Sequence, residues 1–264
     1  IKLKTVFRYC FLLCLISSLT GCFYWLRAYQ TYLQMDQFDE YFGITVEEQF
    51  NVHFKDPILY SEDFISLAKL QPSIISAGKT NESWRYWFRK INEEGKVIEP
   101  EVKFYFDLVF NKDQRLIRWA FSPLFLQIAP AEFLEASLRS LGGAKINQLK
   151  RQLKADAGSI EKITAELPLK FQVLSQLGKP LLIEKEDKQD VYMYHFQLQT
   201  VGIEQGYEDR VLSVVKLSFD KQTDKLVKMA GRFIGLKLSI DYRKYLKQKH
   251  SHLAKMTEQG AADD

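Results

Sequence analysis

The chain has 264 residues, 46% of them hydrophobic and 14% aromatic, with a formal net charge of +4. That content supports packed cores and excludes disordered, collagen-like and coiled-coil classes. Three of the 37 basic residues, Lys2, Lys4 and Arg8, fall in the first 21 positions where no acid stands, so residues 22–264 carry 34 basic against 33 acidic groups and no bulk charge for binding nucleic acid.

Behind this basic start lies an apolar run that closes in Leu15-Ile-Ser-Ser-Leu-Thr-Gly-Cys22. A positive n-region, a short apolar h-region and small residues at its end make a bacterial secretory signal, so residues 1–21 are expected to be a signal peptide. Leu19-Thr20-Gly21-Cys22 resembles a lipobox, the site at which a prolipoprotein is cut before a lipidated cysteine. The resemblance implies that Cys22 is lipidated and that the rest hangs into the periplasm. Phe23, rather than the Asp that resembles an inner-membrane retention signal, points to the outer membrane. The alternative is an inner-membrane chain with one N-terminal transmembrane helix. The eighteen uncharged residues from Tyr9 to Leu26, between Arg8 and Arg27, reach the lower length for one. Both readings place residues 27–264 outside the cytoplasm. The three cysteines, Cys10, Cys14 and Cys22, all precede the folded part. That part is expected to hold together by packing, without disulfides or thiolate metal sites.

Residues 22–43 are expected to form the lipid anchor and a short helical stalk. Leu26, Tyr29 and Leu33, then Met35, Phe38 and Phe42, recur at spacings of three and four and would pack on the first sheet. Val46 to Phe54 predicts a strand, ended by Asp56-Pro57. Ser61-Glu62-Asp63 opens a helix carrying Phe64, Leu67 and Leu70. Trp84, Tyr86 and Phe88 alternate with Arg85, Trp87 and Arg89, which predicts a strand. Val102, Phe104, Phe106, Leu108 and Phe110 make the next at strict period two. Leu116 to Ile128 returns as a third, bent at Pro123. A helix follows from Ala131 to Leu141, with Pro130 at its start and Gly142-Gly143 behind it.

The second half follows the first at a nearly constant offset. Phe171, Leu174 and Leu177 lie 107 residues after Phe64, Leu67 and Leu70, and Tyr194 and Phe196 lie 108 after Tyr86 and Phe88. Val211, Val215, Leu217 and Phe219 lie 109 after Val102, Phe106, Leu108 and Phe110. Such self-similarity predicts an α+β fold of two tandem repeats, each a strand, a short helix and a three-stranded antiparallel meander. The repeats would span 44–141 and 159–246, joined by a linker at 142–158 and followed by a polar tail at 247–264.

Chemistry-bearing motifs are sparse. No Gly-x-Ser-x-Gly, glycine-rich phosphate loop or His-Glu-x-x-His occurs. His250 and His252 sit in a basic tail without carboxylate partners, and His53 and His195 occupy polar positions of their strands. The chain is therefore read as no enzyme, with no catalytic residue, metal or cofactor. The suggestive feature is the second face of the first sheet. Arg85, Trp87 and Arg89 share it with Tyr105 and Asp107, and Trp119 is expected to join them. Aromatics and arginines supply large contact area and planar hydrogen bonding at protein interfaces.

A lipidated cysteine ahead of small helix-plus-meander units resembles the outer-membrane assembly lipoproteins, whose fold is similar to the tandem repeats of β-lactamase inhibitory proteins. The resemblance rests on Leu19–Cys22 and on the order of elements across 44–242. It implies a membrane-anchored scaffold of the cell envelope that binds an envelope protein partner and is not an enzyme; the charge balance gives no nucleic-acid partner. The alternative reading is a periplasmic carrier of a lipid or other apolar ligand.

Overall fold

A computed structural model describes residues 23–147, 149–157 and 165–245; the leader, Cys22 and the tail with His250 and His252 lie outside the described residues. Among the described residues, thirteen strands form one sheet. They are β1 (Phe42–Val46), β2 (Phe50–Phe54), β3 (Ile74–Ala77), β4 (Glu82–Ile91), β5 (Lys103–Phe110), β6 (Leu116–Phe121), β7 (Lys145–Asn147), β8 (Gln152–Asp156), β9 (Leu182–Lys185), β10 (Gln189–Gln199), β11 (Leu212–Asp220), β12 (Leu226–Phe233) and β13 (Leu236–Asp241). The order across the sheet is β1-β2-β6-β5-β4-β10-β11-β12-β13-β8-β7, with β3 beside β4 and β9 beside β10. β13 and β8 pair in parallel, which makes the sheet mixed. The helices are α1 (residues 23–34), α2 (Phe38–Tyr41), α3 (Ser61–Ala68), α4 (Leu124–Ile128), α5 (Ala131–Arg139) and α6 (Lys170–Leu177).

This architecture overturns the expected pair of small tandem repeats. The period-two runs do form strands, but His195–Gln199 of β10 pairs antiparallel with Trp87–Ile91 of β4. The meanders of the two halves therefore share one ladder. An unpaired long strand leaves a row of open N–H and C=O groups, and joining β4 to β10 satisfies both at once. The core is continuous across the joint. Phe104 of β5 meets Phe196 of β10 at 5.0 Å between ring centroids, and Phe88 of β4 meets Phe233 of β12 at 6.2 Å.

Three local expectations are also corrected. Val46–Phe54 is a hairpin, with β1 ending at Val46 and β2 starting at Phe50. Leu116–Ile128 is not one bent strand: β6 stops at Phe121, and Pro123, whose φ is already helical at −54°, starts α4. Residues 142–158, expected as a linker, supply β7 and β8, and β8 extends the sheet beyond β13.

α3 to α6 lie against one face of the sheet. Phe64 of α3 packs edge-on to Phe110, Phe125 of α4 touches Phe104, Phe106 and Phe121, and Phe133 of α5 packs on Tyr242. Two helix ends are capped by cations from remote parts of the chain. α3 stops at Lys69, whose φ of 67° is left-handed. Its last carbonyls, on Leu67 and Ala68, accept from Arg210 at 2.9 and 2.8 Å, and Leu67 also accepts from Arg151 at 2.7 Å. α6 stops at Gly178, φ 67°, and Leu177 O accepts from Lys90 of β4. Positive charge at a helix C-terminus opposes the negative end of its dipole.

α1 packs onto this body. Arg27 forks onto the fully buried Asp63 of α3, with Nε at 2.9 Å from one carboxylate oxygen and 3.1 Å from the other. Asp63 also accepts the Tyr60 N–H at 2.8 Å, so its carboxylate is satisfied. Tyr32 donates to the carbonyls of Gly142 and Ala144.

Candidate functional site

Among the described residues, α3 to α6 leave the other face of the sheet uncovered. Alternation along β4 buries Trp84, Tyr86 and Phe88 toward the helices and leaves Arg85, Trp87 and Arg89 half-exposed on the other side. The register with β5 places Asp107 opposite Arg85, Tyr105 opposite Trp87 and Lys103 opposite Arg89. Four expected site residues, Arg85, Trp87, Arg89 and Tyr105, are thus brought together by one strand pair.

Their contacts form a ladder. Arg85 Nε and Nη2 each lie 2.7 Å from an oxygen of Asp107, a bidentate pair. The Arg85 guanidinium stacks 3.8 Å above the Tyr105 ring and 5.4 Å from that of Trp87. Trp87 and Tyr105 meet edge-to-face at 4.6 Å. Lys103 Nζ sits 5.5 Å from the Trp87 ring on the ladder's outer side. Gln49, from the β1–β2 turn, donates to the Tyr105 hydroxyl at 2.8 Å. Arg89 Nε donates to Glu101 at 2.5 Å. The bond to Asp107 outweighs desolvation and raises the Arg85 pKa further, so this group is a fixed cation. The rings and guanidinium are held in place before any partner arrives, which lowers the ordering cost of binding.

Trp119 does not belong to this face. β6 places it opposite Leu108, on the helix side, where its ring lies 4.5 Å from Phe121 and 5.9 Å from Phe106. Arg118 takes the open-face position instead, opposite Val109. Lys103, Glu101 and Gln49 escaped the sequence reading. Period two from Tyr105 reaches Lys103 directly, whereas Gln49 needs a hairpin that the composition of Val46–Phe54 does not announce.

The second half extends the same face with more cations. Lys216, Lys228, Arg232 and Lys237 follow one another across β11, β12 and β13, and Lys154 and Lys145 continue on β8 and β7. With Arg85, Arg89, Lys103 and Arg118, ten basic side chains stand on this face of the strands. Five acids share it: Asp107, Glu184, Asp220, Asp241 and Asp156. Two acids off the strands also pair with this face, Glu101 with Arg89 and Asp209 with Arg232, so ten basic against seven acidic groups leave it modestly positive. His53 and His195 also lie there, half-buried, opposite Arg118 and Val214. Burial lowers the pKa of both, and the Arg118 charge lowers that of His53 further.

Among the described residues no group of three or more His, Cys, Asp or Glu is placed to hold a metal ion, and no helix is long and apolar enough to cross a membrane. Comparison with family models, with curated proteins and with solved structures finds no match.

Proposed function

We propose that this chain is a protein-interaction module of the cell envelope, and that its open sheet face docks an acidic surface of a partner protein. The observation that carries the reading is the Arg85–Trp87–Tyr105 ladder, preformed at the centre of a face with ten basic and five acidic strand residues. Trp, Tyr and Arg are the residue types that dominate interface energetics, and a surrounding field of one sign speeds encounter with a partner of the other. The alternative, a carrier of an apolar ligand, gains no support from the helix-side face, which is filled by packed rings from Phe88, Phe104, Phe106 and Phe125.

The address is part of the same proposal. Cys22 is lipidated and holds the module on the periplasmic face of the outer membrane. A retained N-terminal transmembrane helix in the inner membrane is the competing anchor. Mass spectrometry of the mature N-terminus decides between them: a diacylated Cys22 supports the lipoprotein, and an intact leader overturns it.

Photo-crosslinking from position 87 of the full-length chain in envelopes tests the docking face. A discrete crosslinked protein is expected, lost with Arg89→Glu and weakened by added salt. Equal crosslinking by the Arg89→Glu chain overturns the reading. Stoichiometric lipid in an organic extract of the purified chain would replace it with the carrier.

A further inference from the structure

Among the described residues β1 is the last strand on its side of the sheet, and no strand pairs with its outer edge. The hydrogen-bond alternation identifies the free groups. Lys55 N–H donates to Tyr41 O at 2.9 Å and Glu47 N–H to Gln49 O at 3.1 Å. Between them Gly43 and Thr45 turn their main-chain groups toward β2, and Ile44 and Val46 turn theirs outward. The neighbouring Phe42 N–H is already taken by Phe38 O.

Beside this edge runs a cleft of about 340 Å³ between β1 and α5. Phe38, Phe42, Ile44 and Val46 line its apolar side. Asp39, Glu132 and Glu135 line its rim; Arg139, the one cation among the lining residues, is bound to Asp39 at 2.6 Å and to Glu135 at 2.8 Å, and Lys55, beside Gly43, donates to the main-chain oxygen of Asp39 at 2.7 Å. Glu47 and Glu48 follow directly where β1 ends. Edge strands are usually guarded by lysine, proline, a bulge or extreme shortness. β7, at the opposite end of the sheet, is three residues long and carries Lys145. β1 reads Phe-Gly-Ile-Thr-Val, with none of these guards among its own residues; Lys55, just after β2, lies beside Gly43, and Val46 is 47% exposed.

We propose that this edge and cleft take an extended, basic segment of a partner protein as an added strand. Its main chain pairs with Ile44 and Val46, its alternate apolar side chains enter the cleft, and its basic side chains meet Glu132 and Glu135. A second copy of this chain is the wrong occupant, because pairing β1 with β1 sets two acidic rims against each other. The site is opposite in sign to the Arg85 face, so the two surfaces take different partners.

The test uses the purified full-length chain and a fluorescent peptide of about ten residues, alternating lysine and valine. Saturable binding that weakens with salt is expected. Val46→Pro removes an outward N–H and leaves the ladder to β2 intact, so it is expected to weaken binding about tenfold or more, as is Glu132→Lys. Lys188→Glu, in the exposed turn between β9 and β10, also reverses one charge and is expected to leave binding unchanged. A second peptide, N-methylated on one edge, is expected to bind no better than Val46→Pro allows, and it serves even where the proline variant misfolds. Absence of saturable binding at low salt overturns the proposal. So does equal binding of the N-methylated peptide, which would mean charge attraction without strand pairing. A dimer dispersed by Val46→Pro would assign the edge to a second copy instead.

Discussion

The ammonium of Lys90, on β4, lies 2.7 Å from the carbonyl oxygen of Leu177, the last residue of α6, and 2.7 Å from that of Lys179. The two residues are 87 positions apart. The Tyr194 ring lies 5.3 Å from the same nitrogen, and the Tyr194 hydroxyl donates to Gly178 O. Arg210 does the converse, reaching from the second half to the end of α3 in the first. Each half therefore caps a helix of the other, so the two halves meet at the helix layer as well as at the β4–β10 ladder.

Lys90→Ala leaves the end of α6 uncapped and is expected to lower stability by about 1.5–3 kcal/mol, read by urea unfolding. Burial lowers the Lys90 pKa below its ordinary 10.5. Between the lowered value and 10.5 the unfolded chain holds more protons, so the contribution of this group rises with pH across that window and its full cost applies below it. The stability difference between the native chain and Lys90→Met should follow that sign. A difference that is flat with pH up to 10.5 contradicts it.

Asp107 is buried to 7% exposure and Arg85 is its bidentate partner. Arg85→Met strands the carboxylate and should cost about 1.5–3 kcal/mol, with part recovered in Arg85→Met/Asp107→Leu. Trp87→Ala truncates only a half-exposed ring and should cost less than Arg85→Met. Thermal unfolding of the four chains checks the order.

Leu149 is fully exposed, in the turn between β7 and β8. Proteolysis there is expected to leave the two fragments associated, because β4 and β10 remain paired and the capping contacts remain made. Size-exclusion chromatography without denaturant should show one species. Two separately eluting folded fragments would mean that the shared ladder is dispensable.

Gly142 faces backbone: a Cβ there would sit 2.6 Å from Met35 O and 2.8 Å from Met35 C. The main chain after α1 must shift to admit it. Gly142→Ala is expected to destabilise by about 1–3 kcal/mol and to weaken the Tyr32 hydrogen bonds at the same turn. Hydrogen exchange should show faster opening of residues 23–34. Unchanged exchange there would mean the turn relaxes without disturbing the helix.

His53 and His195 both have pKa values lowered by burial from the usual 6.5. The unfolded chain takes up protons before the native one does, so stability should fall as pH drops through 6.5 toward the native values. His53→Gln and His195→Gln should each flatten that slope. The bond between Thr45 Oγ1 and His53 Nε2, at 2.8 Å, makes the His53 effect readable at β1.

Local pattern alone determined much of this protein. Strict alternation from Trp84 to Phe88 and from Phe104 to Phe110 assigned two strands, their inner faces, and the grouping of Arg85, Trp87, Arg89 and Tyr105, because a strand's side chains have a period of two whatever they pair with. The helices at Ser61 and Ala131 were legible from spacings of three and four and from their start and stop residues. Trp119 was misplaced because β6 lacks alternation and the ladder shifts register between Val109 and Phe110, so no local rule says which face it takes. The sheet itself was decided only in three dimensions. Nothing near Trp87 announces Gln199, and nothing near Lys90 announces Leu177. Those contacts arise because two long strands with open edges, and two helix ends with unsatisfied carbonyls, find each other's groups closer than water's once the apolar faces collapse.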